Sequence, residues 1–318
     1  MMRSRRTCSG DDVDNLCHSL IGMALSRAGL NKRTALATST LVIANNLPDI
    51  DVAVFATGTM AMSFRRGWTH GVLAQATLPI ALTGAMLVYD RYRVRPSGQQ
   101  ASRPSEVVRP GQLLLLSYIG VLLHVFMDFT NSYGVRLLMP FSERWFYGDA
   151  LYIVDPWLWL SLGLGWWLAK QHPRPARIGV AVAAVYVVTM LLSNQIARRE
   201  VAQGLARAGQ PSDTRFMVTP VVVNPFRREV VIDLGDRYEK GNLWFEPLPH
   251  FRPGGFGIAK GFDRPEVQDA LQQPRAKTYL RWSRFPFIQA NVVEGGVWIN
   301  DYRYATAGPY GWSAVRVQ

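Results

Sequence analysis

Five apolar runs, at roughly residues 34–48, 71–89, 112–130, 151–169 and 176–194, constrain this chain more than any other feature. A helix needs about 20 apolar residues to cross a hydrocarbon core, and inside lipid only helices and closed barrels satisfy their own backbone. The segment GVLAQATLPIALTGAMLVY carries no charge, and QLLLLSYIGVLLHVFMDFT carries one His and one Asp, both toward its C-terminal end. LYIVDPWLWLSLGLGWWLA brings tryptophans suited to an interfacial belt, and ARIGVAVAAVYVVTMLLSN completes the set. A shorter apolar helix at 16–30 bears Arg27, and 50–64 reads as a re-entrant or interfacial piece, so four to six spans are expected.

Mean hydropathy is nonetheless near neutral, because the runs stop at about residue 195 and a polar, aromatic-rich remainder follows. The expected fold is mainly α: a multi-span helical membrane domain over 1–199 and a small, soluble, antiparallel β domain over 200–318. In the second part RFMVTPVVVNPF, REVVIDL, RYEKGNLWFE, KTYLRWSRFPFIQANVV and GGVWINDYRYA read as strands, with KGN and EGG as hairpin turns. RREVAQGLARAG reads as a helical extension of the last span.

The formal charge of +12 falls in short clusters between apolar runs, such as Arg27, Lys32 and Arg33, or Arg91, Arg93 and Arg95. That is the placement of membrane anchors. No recognition helix or aromatic platform accompanies it, so no nucleic-acid partner is expected. Cys8 and Cys17 make no framework and no CxxC pair. The first ten residues lead into Asp11, Asp12 and Asp14 rather than an apolar core, so the membrane segments themselves are expected to direct insertion. Taking the Arg-rich loop 91–109 as cytoplasmic puts 49–70, 130–150 and everything beyond 195 on the outer side of an inner membrane.

His18, Asp49, Asp51, His70, His124 and Asp128 all fall at one membrane face under this alternation. Ionisable groups beside a span are costly and pair, face a cavity or bind an ion. His124 and Asp128 are four apart and share a helix face; Asp14 and His18 repeat the spacing. Asp49 and Asp51 follow Pro48, and in an extended turn they point the same way. Imidazole and carboxylate together suit zinc, manganese or iron, in a site of one or two ions that activates water. Arg65, Arg66 and Arg136 stand nearby in sequence to bind an anionic group. Asp49 and Asp51 are the expected catalytic carboxylates; Asp49, where it is not itself a ligand, would accept a proton or orient a ligand His, and Asp155 would cap the helix that begins at Pro156.

The segments DNLCHSLIGMALSRAGL, ANNLPDIDV, RGWTHG, HVFMDFTNSYGVRLLMPFS and IVDPWLW resemble, in order, the YdjM-type family of bacterial membrane-bound metal-dependent hydrolases. The resemblance implies a multi-span protein with a metal-dependent hydrolase site. A more distant similarity is to zinc-dependent phospholipase C and its nuclease relatives. By that analogy Asp51, His70, His124 and Asp128 would hold one metal and His18 a second, with Asp128 bridging. Asp14 would replace a free amino terminus. The expected substrate is a phosphoester or a lipid or envelope-type ester, with membrane lipid as the surrounding partner and the oligomeric state open. The competing readings are a non-catalytic metal-binding membrane protein and an ion-coupled transporter; ligands at helix ends and the lack of a sequence repeat favour the enzyme.

Overall fold

In the computed structural model, residues 10–57, 60–94, 107–255, 257–290, 296–307 and 313–317 are described. They form two compact units, one of Met1–Val54 with Phe64–Leu191 and one of Phe55–Ser63 with Leu192–Gln318. The first is helical: α1 (Gly10–Arg27), α2 (Ala37–Ala44), α3 (Ala61–Phe64, at the junction), α4 (Val72–Tyr89), α5 (Pro110–Thr130), α6 (Pro156–Leu168) and α7 (Arg174–Arg207), the last continuing into the second unit from Leu192. A 3-10 helix over Leu47–Thr57 links α2 to α3.

Among the described residues, three helices are long and apolar enough to cross a membrane: Val72–Arg93, Pro110–Thr130 and Arg174–Arg207. Along α7 the large apolar side chains Ile178, Val182, Val185, Val188 and Leu192 are exposed, at helical spacing on one stripe. Water would not tolerate such a stripe cheaply; lipid does.

Two expected spans are shorter than the apolar runs that suggested them. The run at 34–48 folds as α2, only eight residues, because Asn45, Asn46 and Pro48 end it. The run at 151–169 yields a thirteen-residue α6. Its start is fixed by Asp155, whose Oδ1 accepts from the backbone N–H of Trp157 and Leu158 at 3.1 and 3.2 Å, ahead of Pro156.

Packing is set where backbones approach. Gly22 of α1 lies against α2, so that a Cβ there would sit 2.9 Å from the Leu41 carbonyl oxygen. Gly120 of α5 lies against Ala44 on α2. These glycines are one helical turn from His18 and His124, so α2 is nested closely beside both histidines. A second cluster, of Cys17, Leu20, Ile21 and Ala24 with Leu158, Leu162, Val187 and Met190, ties α1 to α6 and α7.

In the second unit, β1 (Phe216–Pro220), β2 (Arg227–Asp233), β3 (Arg237–Phe245) and β4 (Pro249–Arg252) pair antiparallel in that order. β5 (Gly257–Ala259) pairs with the N-terminal half of β3. After α8 (Pro265–Gln272) and α9 (Pro274–Trp282), a second sheet orders β6 (Pro286–Ala290), β7 (Val297–Asp301) and β8 (Val315–Arg316). The VVI run of β2 is buried on both faces of the first sheet. Val230 and Ile232 pack on Ala197, Val201 and Leu205 of α7, and Val231 packs with Phe285 and Phe287.

Two local expectations change here. Lys240, Gly241 and Asn242 lie inside β3; the β2–β3 turn is instead centred on Gly235, with φ +91°, a conformation glycine adopts without strain. KTYLRW belongs to α9 rather than to a strand, buried through Ala276, Tyr279 and Trp282 at the i, i+3 spacing of a helix. EGG falls largely in residues 291–295, outside the described set.

Candidate metal centre

Four side chains meet in the helical unit. Asp49 comes from the 3-10 helix, His70 from the turn ahead of α4, and His124 and Asp128 from successive turns of α5. Each offers a ligand atom, and these atoms all lie within 4.8 Å of one another. His70 and His124 face each other with their Nε2 atoms 3.1 Å apart. Asp128 Oδ2 is 3.1 and 3.6 Å from those two nitrogens, and Asp49 Oδ1 is 3.8 Å from each. For zinc–nitrogen and zinc–oxygen bonds of about 2.0–2.2 Å, a tetrahedral set has donor–donor edges of roughly 3.3–3.6 Å. The observed edges bracket that range.

The partners on the far side of each ring settle which nitrogen carries the proton. His124 Nδ1 is 2.7 Å from the carbonyl oxygen of Asn45, which can only accept, so Nδ1 is the protonated nitrogen. His70 Nδ1 is 3.0 Å from Thr69 Oγ1, whose hydroxyl donates to Asp51 Oδ2 at 3.1 Å. The Thr69 proton is thus committed to Asp51, and His70 Nδ1 must donate to the hydroxyl. In the neutral form of each ring both Nε2 atoms then present lone pairs, facing each other across 3.1 Å beside two carboxylates. Such an arrangement repels itself unless a cation or a shared proton lies within it. Asp128 is fully buried and neither of its oxygens accepts a hydrogen bond of normal geometry, so its charge is met by the ions around it, Arg66 among them. The donor set fits a divalent ion.

Two arginines close the surroundings. Arg65 reaches Asp49 Oδ1 through Nη2 at 3.2 Å and Asp51 Oδ1 through Nε at 3.3 Å. Arg66 Nη2 is 3.1 Å from Asp128 Oδ1, and its Nη1 donates to Asn131 Oδ1 at 3.1 Å. Arg66 has φ +50°, a conformation that costs a non-glycine residue about 1 kcal/mol or more. Its backbone N–H donates to Asp51 Oδ2 at 2.8 Å, and its carbonyl accepts from Arg136 N at 2.8 Å. Burial alone would raise the Asp49 carboxyl, and Asp128 pushes the same way. Positive charge on the His124, His70 and His18 cluster, as a shared proton supplies, outweighs both and holds it below the usual carboxylate range.

The expected residues fall as follows. Asp49 stands among the four donors, whereas Asp51, expected as a ligand, meets Thr69, Arg65 and the Arg66 backbone. The cause is the local backbone. At about three residues per turn a 3-10 helix sends positions i and i+2 to different sides, whereas an extended turn would align them. His18 lies in the middle of α1 and outside the four-donor set, its ring stacked on His124 at 3.9 Å, its Nε2 3.4 Å from Asp128 Oδ1. Asp14 belongs to α1, but its side chain lies outside the described residues. Arg65, Arg66 and Arg136 are 3, 3 and 5 % exposed, so they line the interior of the unit. Asp155 caps α6 and accepts from Tyr186 Oη at 2.9 Å.

Sequence reasoning missed Thr69 and the Asn45 carbonyl. Thr69 was legible as a hydroxyl next to a histidine. The role of Asn45 is carried by its backbone, which no side-chain pattern announces.

The profile of the YdjM inner membrane protein family matches residues 13–197, a stretch that includes every residue of this centre. The chain is also similar to the uncharacterised protein YfhP of Bacillus subtilis (strain 168), at 23 % identity over 200 residues, covering 59 % of this chain and 57 % of that protein. The chain thus spans little more than half the length of that relative. No solved structure matches it. A membrane-type set of three long apolar helices, a buried Asp–His–His–Asp cluster and a family match over more than half its length together assign this chain to the YdjM inner membrane protein family.

Proposed function

We propose that this protein is a membrane-bound hydrolase that depends on one divalent ion, zinc before manganese or iron, held by Asp49, His70, His124 and Asp128. The observation that carries the reading is the pair of facing Nε2 lone pairs, 3.1 Å apart, with a carboxylate on either side. An ion held there would supply Lewis-acid polarisation of a phosphoryl or acyl oxygen and a water of lowered pKa. The chain supplies the rest. Asn45 and the Thr69–Asp51 relay keep both imidazoles in the ligating tautomer, as outer partners of metal sites do. Arg66, already 3.1 Å from Asp128, brings a fork suited to an anionic ester. Arg65 offsets the charge of Asp49 and Asp51.

The carboxylate-rich, thiol-poor donor set favours catalysis over a closed structural site, which is typically rich in Cys. A second ion on His18 is the weaker reading, because the Arg66 cation already stands against Asp128 Oδ1. The substrate class supported best is a phosphoester or lipid-type ester presented at a membrane.

The test is turnover by zinc-reconstituted protein in detergent, against panels of lipid phosphomonoesters, phosphodiesters and carboxylic esters. Hydrolysis of at least one class is expected, lost on chelation, restored by metal, and absent from His70→Ala. Metal-loaded wild type that turns over none of them would contradict the hydrolase reading.

A further inference from the structure

We propose that the C-terminal unit holds a second site, unrelated in residues to the His/Asp centre, that binds a phosphate-bearing anion. A cavity of about 260 Å³ is lined by Arg198, Arg215 and Arg284, with Ser212, Thr214 and Asp213 among its other polar residues. The three guanidinium groups come from three separate segments: α7, the residue ahead of β1, and the turn between α9 and β6. Three guanidinium groups and the carboxylate of Asp213 thus line one cavity, and arginine forks match tetrahedral oxyanions in geometry.

The cavity is built. The Arg215 carbonyl accepts from Asp233 N at 2.8 Å, and Arg215 Nη2 donates to the Arg284 carbonyl at 3.4 Å. Arg284 N donates to Asp301 Oδ2 at 2.9 Å, and Asp301 is itself buried against Arg303. Arg198 lies over the Phe216 ring at 5.7 Å, and Arg284 over Phe285 at 5.9 Å. Two hydroxyls beside such guanidiniums complete the donor set usual for phosphate oxygens.

Position along α7 narrows the source. The helix has 34 residues, about 51 Å at 1.5 Å each, against a hydrocarbon core of about 30 Å. Its apolar stretch runs to Leu192, and Arg198 follows six residues later, about 9 Å along the axis. With Leu192 at the edge of the hydrocarbon core, that would set Arg198 at the depth of lipid phosphate. A phospholipid headgroup and free phosphate offer the same oxygens, and the experiment separates them.

Full-length protein in dodecyl maltoside is titrated with dihexanoyl phosphatidylglycerol, dihexanoyl phosphatidylcholine or sodium phosphate while its melting temperature is followed. Phosphatidylglycerol is expected to stabilise the wild type at lower concentration than phosphatidylcholine. The half-saturating concentration should rise about tenfold in Arg215→Gln and in Arg198→Gln, while Arg215→Lys stays within about threefold of wild type. Stabilisation by phosphatidylglycerol alone identifies a lipid headgroup; equal stabilisation by sodium phosphate, lost in the same variants, identifies free phosphate. Arg215 is exposed, so its replacement leaves the fold intact, which the unliganded melting temperature verifies. No response to either anion, or a response unchanged in both Gln variants, overturns the site.

Discussion

Asp49 and Asp51 differ by two positions and hold different jobs. Asp49 aims a carboxylate oxygen 3.8 Å from both facing nitrogens, while Asp51 gathers Thr69, Arg65 and the strained Arg66 backbone. Their substitutions should separate. Asp51→Asn is expected to keep the metal with affinity lowered about 10- to 100-fold, the usual effect of losing an outer partner, whereas Asp49→Asn should lose it outright. Competition with a chelator, read as zinc retained per chain, distinguishes the two; equal loss in both would place Asp51 among the ligands. His70, His124 and Asp128 were legible from residue type and from the four-residue spacing on α5. Which of the two aspartates stands among the four donors was not, since that depends on a 3-10 turn that the motif does not encode. The same limit applied to Asn45, because backbone carbonyls carry no sequence mark.

At the scale of elements, the centre exists because a short helix is wedged between two longer ones. α2 has eight residues, too few to span, and it ends where Asn45 meets His124. Gly22 and Gly120 let it approach. A Cβ at Gly120 would run into Ala44, whereas at Gly84 of α4 it would meet nothing within 4 Å. Gly120→Leu is therefore expected to destabilise the protein by about 1–3 kcal/mol through overpacking and to reduce bound metal, with Gly84→Leu close to neutral in both. Thermal unfolding of the two variants with and without zinc checks this, and a neutral Gly120→Leu would sink the wedge account. Long apolar segments were legible as helices because lipid and core both reward the same composition. Whether a run becomes a full span or a half-helix turned on Asn45, Asn46 and Pro48, which apolarity alone does not reveal. β1, β2, β3, β6 and β7 were legible from β-branched and aromatic runs, whereas the short β4, β5 and β8 were not. KTYLRW was not, since its apolar residues fit both a strand and one face of α9.

At the scale of the molecule, the chain couples a helical unit carrying three long apolar helices to a β-rich unit with its own core. The family match covers the helical part, over residues 13–197, so the chemistry proposed here belongs to that unit, and the β-rich unit contributes the proposed anion site. The central claim is that four buried donors hold an ion. Mass-spectrometric metal content of detergent-purified protein tests it most directly, comparing wild type with His124→Ala and Asp128→Ala after reconstitution with zinc, manganese or iron. The account predicts about one ion per chain in the wild type and almost none in either variant. A wild type that stays metal-free with all three ions, or variants that bind as much as the wild type, would contradict it.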